Sequence, residues 1–401
     1  MQSQKKFAKA AKVCKTCKNT AVQVWQRRFA VAQSNPFTPT FGIVPPIMAG
    51  REELVEELSC AFANGLGDPN LCTILAGARG TGKTAFLSFI ADEASSQGWI
   101  AAKTTAAEGM LEDILQQATW NAQSFLDNMG GRKLKGLTVG QLVGFEWENE
   151  RPVAGNWRTQ MNRLLEQLDE YDIGLLITVD EVKVSVDEMK QLARIYQHFV
   201  TEGRKVALLM AGLPHNVSQL LRDDDISFLR RSRKHHLGRI PDFEIREALR
   251  LTLQEGEKSM GPESLDEAVA AIDGFPYMMQ LVGYCAWSEG GAEEELAPDA
   301  VRRGIARARK EMIDGVLEYT YLELSQGDKR FLGAMLQDEG ESSLAVIAER
   351  MGVRSNYASQ YKKRLLEQGI IGERVRGYLR FDMPVFREYL AERLQEEDEL
   401  A

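Results

Sequence analysis

The chain lacks any run of about 18 or more apolar residues, which excludes a transmembrane helix. Its first residues, MQSQKKFAKAAKVCKTCKNT, have no continuous apolar segment and do not form a secretory signal. A cytosolic protein with no membrane partner is therefore expected. Cysteine is scarce: Cys14, Cys17, Cys60, Cys72 and Cys285, an odd and scattered set that argues against a disulfide scaffold. Cys14 and Cys17 form one CxxC, but a structural zinc site takes about four ligands and no second pair follows. Proline is also sparse, at 12 in 401 residues, and no repeat or low-complexity tract occurs. Hydrophobic residues make up 44% and charged residues 27%, so whole-chain disorder and collagen-like structure are out. What remains is an ordinary globular chain. At roughly 150 residues per domain it holds about two or three domains, each with a sizeable core.

The net charge is −9, yet it is unevenly spread. Residues 1–30 carry Lys5, Lys6, Lys9, Lys12, Lys15, Lys18, Arg27 and Arg28 and no acid, whereas the end from Glu392 to Glu399 is mostly acidic. A global acidic balance does not exclude nucleic acid, because local patches decide binding.

Residues 1–40 read as a basic extension and linker, since SNPFTPTFGIVPP (34–46) is proline-rich and extended. From 47 onward strands and helices alternate. LCTILA (71–76), WIAAKTT (99–105), DIGLLITV (172–179), KVALLMAG (205–212) and HHLGRI (235–240) are the strand candidates. This alternation predicts an α/β domain over 41–241, a parallel sheet covered by helices on both faces. GRKLKGLTVGQLVGFEWENE (131–150) breaks the helical pattern and reads as an inserted hairpin or loop. Residues 242–320 read as helical, punctuated by Gly274-Phe275-Pro276. From Leu324 three short helices are followed by two strands around a glycine-containing turn. That is the winged-helix arrangement, expected over 321–401 with an acidic tail.

Residues 77–84, GARGTGKT, satisfy G-x-x-x-x-G-K-[ST] between an apolar strand and an amphipathic helix. The chemistry needs glycines so that backbone N–H groups from Gly77, Ala78, Arg79, Gly80, Thr81, Gly82, Lys83, Thr84 and Ala85 can face phosphate oxygens. The helix N-terminus adds positive potential. Lys83 should reach the β- and γ-phosphates of ATP, and Thr84 should hold Mg²⁺. LLITVDE (175–181) supplies the second half. Asp180 would bind Mg²⁺ through water, and Glu181 would orient or deprotonate the attacking water. A glycine-rich turn or an apolar run ending in acids is uninformative alone; together they are specific.

IMAGREELVEEL, GARGTGKT, LLITVDE and VALLMAGLP, in this order, resemble a P-loop ATPase of the AAA+/STAND kind. The likeness is greatest to archaeal-type and ORC-like ATPases and covers about residues 40–390. It implies a helical lid over 242–320 and nucleotide-dependent homo-oligomers. It also implies that Gly50 and Arg51, in the GRE motif, help place the adenine. GFPYMMQ (274–280) resembles the G-x-P motif of such a lid, with Pro276 near the nucleotide; the alternative is a plain turn between helices. Arg230 and Arg231, in FLRRSRKHH, stand where these families keep an arginine finger; the alternative is a solvated basic turn. The chain departs from the family in lacking a polar sensor after the fourth strand and the lid arginine, so hydrolysis is expected to be slow or partner-stimulated. His235 and His236 have no carboxylate or cysteine support for a metal, and Trp287 reads as core.

In the third C-terminal helix, Asn356 and Gln360 are of the types that read base edges, while Lys362, Lys363 and Arg364 neutralise phosphates. Arg374 and Arg376 fall on the wing. Only Glu367 and Glu373 oppose them over 354–380. Double-stranded DNA is thus the expected partner, although winged helices also serve as packing modules. The reading is an ATP-binding and ATP-hydrolysing switch that couples nucleotide state to DNA. The alternatives are a STAND-type signalling switch without DNA, and an ATP-dependent helper of a mobile element or replication system.

Overall fold

A computed structural model describes residues 34–40, 42–128, 154–375 and 377–400. The basic extension with Cys14 and Cys17, the 131–150 segment and Arg376 lie outside the described residues.

Five strands form one parallel sheet: β1 (Cys72–Ala76), β2 (Trp99–Thr105), β3 (Gly174–Asp180), β4 (Val206–Gly212) and β5 (Arg233–His236). Their order is β2-β3-β4-β1-β5. The apolar runs explain why the sheet is buried on both sides. Successive side chains point to opposite faces. In β4, Leu208 and Met210 enter one cluster while Ala207 and Leu209 enter the other. Helices α1 (Glu52–Asn64) and α2 (Lys83–Ser96) cover one face. Helices α3 (Met110–Asn128), α4 (Ala154–Asp169), α5 (Asp187–Thr201) and α6 (Pro214–Arg222) cover the other.

The fifth strand does not occupy 235–240. It starts at Arg233 and ends at His236, paired with Ala76, where β1 itself ends. Beyond that point no ladder partner remains. Leu237 N–H reaches Ala76 O (2.7 Å), and Ile240 N–H bonds Gly274 O (2.8 Å) as the chain leaves the sheet.

At the opposite edge, β2 is closed by side chains of α3. Lys103 N–H donates to Gln117 Oε1 (3.0 Å), Gln117 Nε2 donates to Lys103 O (2.7 Å), and Asn121 Nδ2 donates to Ala101 O (2.7 Å).

The next region is helical, as expected: α7 (Asp242–Glu255), α8 (Pro262–Ile272), α9 (Pro276–Glu289) and α10 (Pro298–Met312). Proline stands in the first turn of the last three, where its missing N–H costs nothing. Two two-residue strands were not expected. β6 (Ser259–Met260) and β7 (Glu295–Leu296) pair in parallel. A π-helical turn, Ile313–Leu317, and α11 (Glu318–Leu322) lead onward.

The C-terminal unit runs α12 (Gln326–Leu336), β8 (Ser342–Ser343), α13 (Leu344–Arg350), α14 (Ser355–Gln368), β9 (Ile371–Val375) and β10 (Tyr378–Phe381). Its three strands form an antiparallel sheet in the order β8-β10-β9. The acidic tail belongs to a helix, α15 (Phe386–Leu400), anchored by the buried Phe386, Tyr389 and Leu390. One continuous apolar cluster joins α7–α10 to this unit, from Ile245 and Val282 to Phe331, Leu365 and Leu390.

Candidate functional site

The glycine-rich turn spans from the end of β1 to the start of α2. Gly80 (φ +77°) and Gly82 (φ +83°) adopt left-handed backbone, which L side chains rarely reach. A Cβ at Gly80 would lie 2.5 Å from the Phe275 ring. Gly82 caps α2 without a side-chain hydrogen bond, so the helix presents its first N–H groups and its positive dipole end to the turn.

Lys83 Nζ curls back to donate to Gly77 O (3.0 Å) and Ala78 O (2.7 Å). Burial pulls its pKa down to about 8, although Asp180 and Glu181 act in the other direction. Thr84 Oγ1 donates to Asp180 Oδ2 at 2.5 Å. Asp180 ends β3, one strand removed from β1, and its Oδ1 accepts Glu181 N–H at 2.8 Å. Glu181 has φ +50°, a strained backbone for a non-glycine residue. Its carboxylate is 60% exposed, 3.9 Å from Lys183 Nζ. Beside the Thr84–Asp180 pair opens a cavity of about 460 Å³, lined also by Ser88, Lys103, Glu108 and Thr178.

β4 itself ends apolar, at Ala211 and Gly212, against the residue that follows Glu181. Val182 N–H bonds Ala211 O (2.9 Å), and a Cβ at Gly212 would lie 2.6 Å from Val182 Cγ2.

The 86% of this chain that can be superposed covers 96% of the Walker-type ATPase paby2304 of Pyrococcus abyssi, with a TM-score of 0.61 at 15% sequence identity. The fold is that of a Walker-type P-loop ATPase. The ORC2 protein of Aeropyrum pernix is a looser likeness (TM-score 0.47, 15% identity, 88% of this chain and 95% of that one), too loose to carry an argument. No curated protein matches the chain. A family described as Domain of unknown function (DUF8462) matches residues 314–390. That match begins inside the π-helical turn.

Pro276 lies close to the loop. It opens α9 with its Cβ 3.9 Å from the position a Cβ would take at Gly82, and Tyr277 N–H bonds Gly80 O (3.3 Å). Gly50 (φ +71°) packs on Ile240, 3.0 Å from where its Cβ would stand. Arg51 donates to Gly50 O (2.8 Å) and Gly238 O (2.7 Å), tying the start of α1 to the segment that leaves β5. Arg79 pairs outward with Glu323 at 3.4 Å. Thr81 is buried, its hydroxyl donating to Ala78 O (2.9 Å). Ala85 continues α2.

Arg230 and Arg231 are not brought to the loop. Arg230 folds back on Leu221 O (2.9 Å) and Asp224 (2.8 Å), and Arg231 is exposed at the end of a 3₁₀ helix. His235 Nε2 lies 3.7 Å from Glu57, and Trp287 is buried. Among the described residues no cluster of three His, Cys, Asp or Glu could hold a metal, and no helix is long and apolar enough to cross a membrane.

The contacts that no motif announced are those between the C-terminal unit and the loop. Gly369 (φ +72°) ends α14, and a Cβ there would lie 2.2 Å from Ala78 Cβ. His215 Nδ1, in the first turn of α6, meets Glu367 Oε2 at 2.9 Å. Arg239 donates to Asp273 O (2.9 Å), Phe381 O (3.1 Å) and Asp382 O (2.9 Å), joining three regions at once. The helix stop LLEQG signals a C-cap, but nothing in it says what the cap touches.

Of the residues read as DNA contacts, Asn356 and Gln360 are exposed on α14. Lys363 is 58% exposed and 3.8 Å from Glu367. Lys362 is paired with Glu373 at 2.7 Å. Arg364 is paired with the buried Asp328 at 2.5 Å, and that aspartate also completes the capping box of α12 with Ser325. Arg374 lies on β9, and its side chain is outside the described residues.

Proposed function

We propose that the chain binds ATP with Mg²⁺ at GARGTGKT, hydrolyses it, and couples the state of that loop to the C-terminal unit, a winged helix that contacts duplex DNA. The observation that carries this reading is the shared loop. Lys83, Thr84 and Asp180 converge on one side of it, and Gly369 rests on Ala78 at the other.

The residues fit the ligands. A desolvated lysine held only by carbonyls lacks an anionic partner of its own, and phosphate oxygens supply one. A hydroxyl and a carboxylate in contact are oxygen donors suited to Mg²⁺. The cation, when bound, neutralises charge on the phosphates. Lys83 then orients the β- and γ-phosphates. The α2 N-terminus and loop N–H groups hold their oxygens. Glu181, mostly exposed at the end of a loose pair with Lys183 and held at a strained φ beside Asp180, takes a proton from water. Arg231, exposed at the end of the 3₁₀ helix, is the arginine this reading assigns to the site of a neighbouring copy in a homo-oligomer.

Lys83→Ala should weaken ATP binding at least about tenfold, or roughly 1.4 kcal/mol. Unchanged affinity in a calorimetric titration would remove the nucleotide reading. For DNA, isotherms at two salt concentrations should compare the chain with the Lys362→Ala/Lys363→Ala variant. Each lost phosphate contact lowers the salt slope by about 0.9.

One observation favours a second reading, a nucleotide switch that acts on protein instead of DNA. Lys362 and Arg364 already hold internal partners, so their charge is partly spent within the unit. Absence of binding to any duplex, with ATP-dependent change in molecular size, would select it.

A further inference from the structure

The cavity beside Thr84 and Asp180 has one wall made by the loop that follows β2, and that loop is held from both ends. Thr105, the last residue of β2, pairs with Asp180, the last of β3. One residue on, Ala106 N–H donates to Asp180 O (2.9 Å), so the ladder continues past the strands. On the far side Glu188, in the first turn of α5, accepts Gly109 N–H on Oε1 and Leu111 N–H on Oε2, both at 2.8 Å. Donors at a helix start have no partner in the preceding turn, and a carboxylate satisfies them and suits the positive dipole end.

Glu108 lies between these two fastenings and lines the cavity together with Thr84 and Asp180. Its carboxylate makes no hydrogen bond and no ion pair with a described residue. Glu181 differs. It follows Asp180 in sequence, yet it is not one of the cavity's lining residues, and its carboxylate stands in a loose pair with Lys183. The cavity also has a polar side at depth. Thr178 is 2% exposed, lines the cavity, and its hydroxyl bonds no described residue. Polar walls around about 460 Å³ suit ordered water.

We propose that Glu108 is a catalytic carboxylate of the ATPase, accepting a hydrogen bond from the attacking water and aiming its lone pair at the γ-phosphorus. The proposal rests on the nucleotide reading above. A water held by one acceptor rotates; a second acceptor fixes it in the reactive orientation. Its oxygen bonds the γ-phosphorus, the bond to the β-phosphate oxygen breaks, ADP and inorganic phosphate form, and the proton of the water passes to Glu181. Glu108 keeps its charge throughout. Glu188 is a positioning residue, acting through the loop that carries Glu108.

Binding of a fluorescent ATP analogue to the wild-type chain is measured first, and ATP hydrolysis by that chain second. Glu108 is exposed, so Glu108→Ala does not disturb the core. It should lower kcat about 10- to 100-fold with nucleotide affinity unchanged. Glu108→Gln keeps one acceptor oxygen and should fall between alanine and wild type. Glu188→Ala should lower kcat in the same direction, and on the Glu108→Ala background it should add no further loss, because the two act as one unit. No binding by the wild-type chain removes the nucleotide reading and this proposal with it; binding without turnover removes hydrolysis and this proposal. Turnover that Glu108→Ala leaves unchanged, or a loss confined to affinity, overturns the role of Glu108 alone. Additive losses in the double variant overturn the link through Glu188.

Discussion

The sheet domain and the region after it are built on opposite plans. The sheet domain keeps two separate apolar clusters, one on each face, and the Thr84–Asp180 pair sits at its carboxyl edge. The lid helices and the C-terminal unit share one cluster across a boundary that sequence composition marks as a domain junction. The contacts between the two plans include polar and close-packed elements: Arg79–Glu323, His215–Glu367, Arg239 with Asp382, and Gly369 against Ala78. A shared core moves as a body, while ion pairs at a seam exchange partners easily. The boundary between the two plans falls around Leu237–Ile240, with Leu237 in a sheet-side cluster and Ile240 in the shared one.

Cutting into the shared core is the strongest test of this contrast. Phe331→Ala should cost about 3–5 kcal/mol, as for other buried aromatic truncations. Hydrogen exchange should then rise in α9 as well as in α14. A rise confined to the C-terminal unit would show two bodies instead of one.

On the sheet side, Glu181→Gln should slow hydrolysis by about 100-fold or more while leaving nucleotide affinity intact. Single-turnover rates with bound nucleotide check this, and equal rates would remove Glu181 from the chemistry.

Lys83 offers a subtler handle. Its buried ammonium titrates near 8, and phosphate binding favours the charged form. Affinity should therefore be greatest below pH 8 and fall by up to about tenfold per pH unit as pH rises above it. Lys83→Arg, charged throughout, should flatten this dependence in a titration series.

The smallest effect belongs to the seam. Glu367→Gln removes the charge facing His215, and for a half-exposed pair the stability change should stay within about 1 kcal/mol. Thermal denaturation checks that limit. A much larger loss would make the seam part of the core and erase the contrast.

Much of this was legible in the residues. Apolar runs between turn signals located four strands to within two residues, and WIAAKTT matched β2 end to end. The paired motifs located Lys83, Thr84, Asp180 and Glu181 because local backbone chemistry dictates their spacing. β5 was misplaced because its extent depends on where its partner β1 stops, a tertiary fact. The burial of Phe37 was hidden because it depends on a glycine nearly 250 positions away. Arg364 looked like a surface cation, yet its meaning is set by Asp328 on another helix. Spacing along one element can be read; pairing between elements whose order is not fixed by a motif cannot.

The closure of β2 by Gln117 and Asn121 bears on how this molecule avoids its own kind. An open outermost strand offers a row of unmet donors and acceptors on which a foreign strand can template itself. Two amide side chains on α3 satisfy part of that row from within, one of them gripping both backbone groups of Lys103. Replacing both with alanine would uncover a sticky seam. The predicted phenotype is clumping at high concentration.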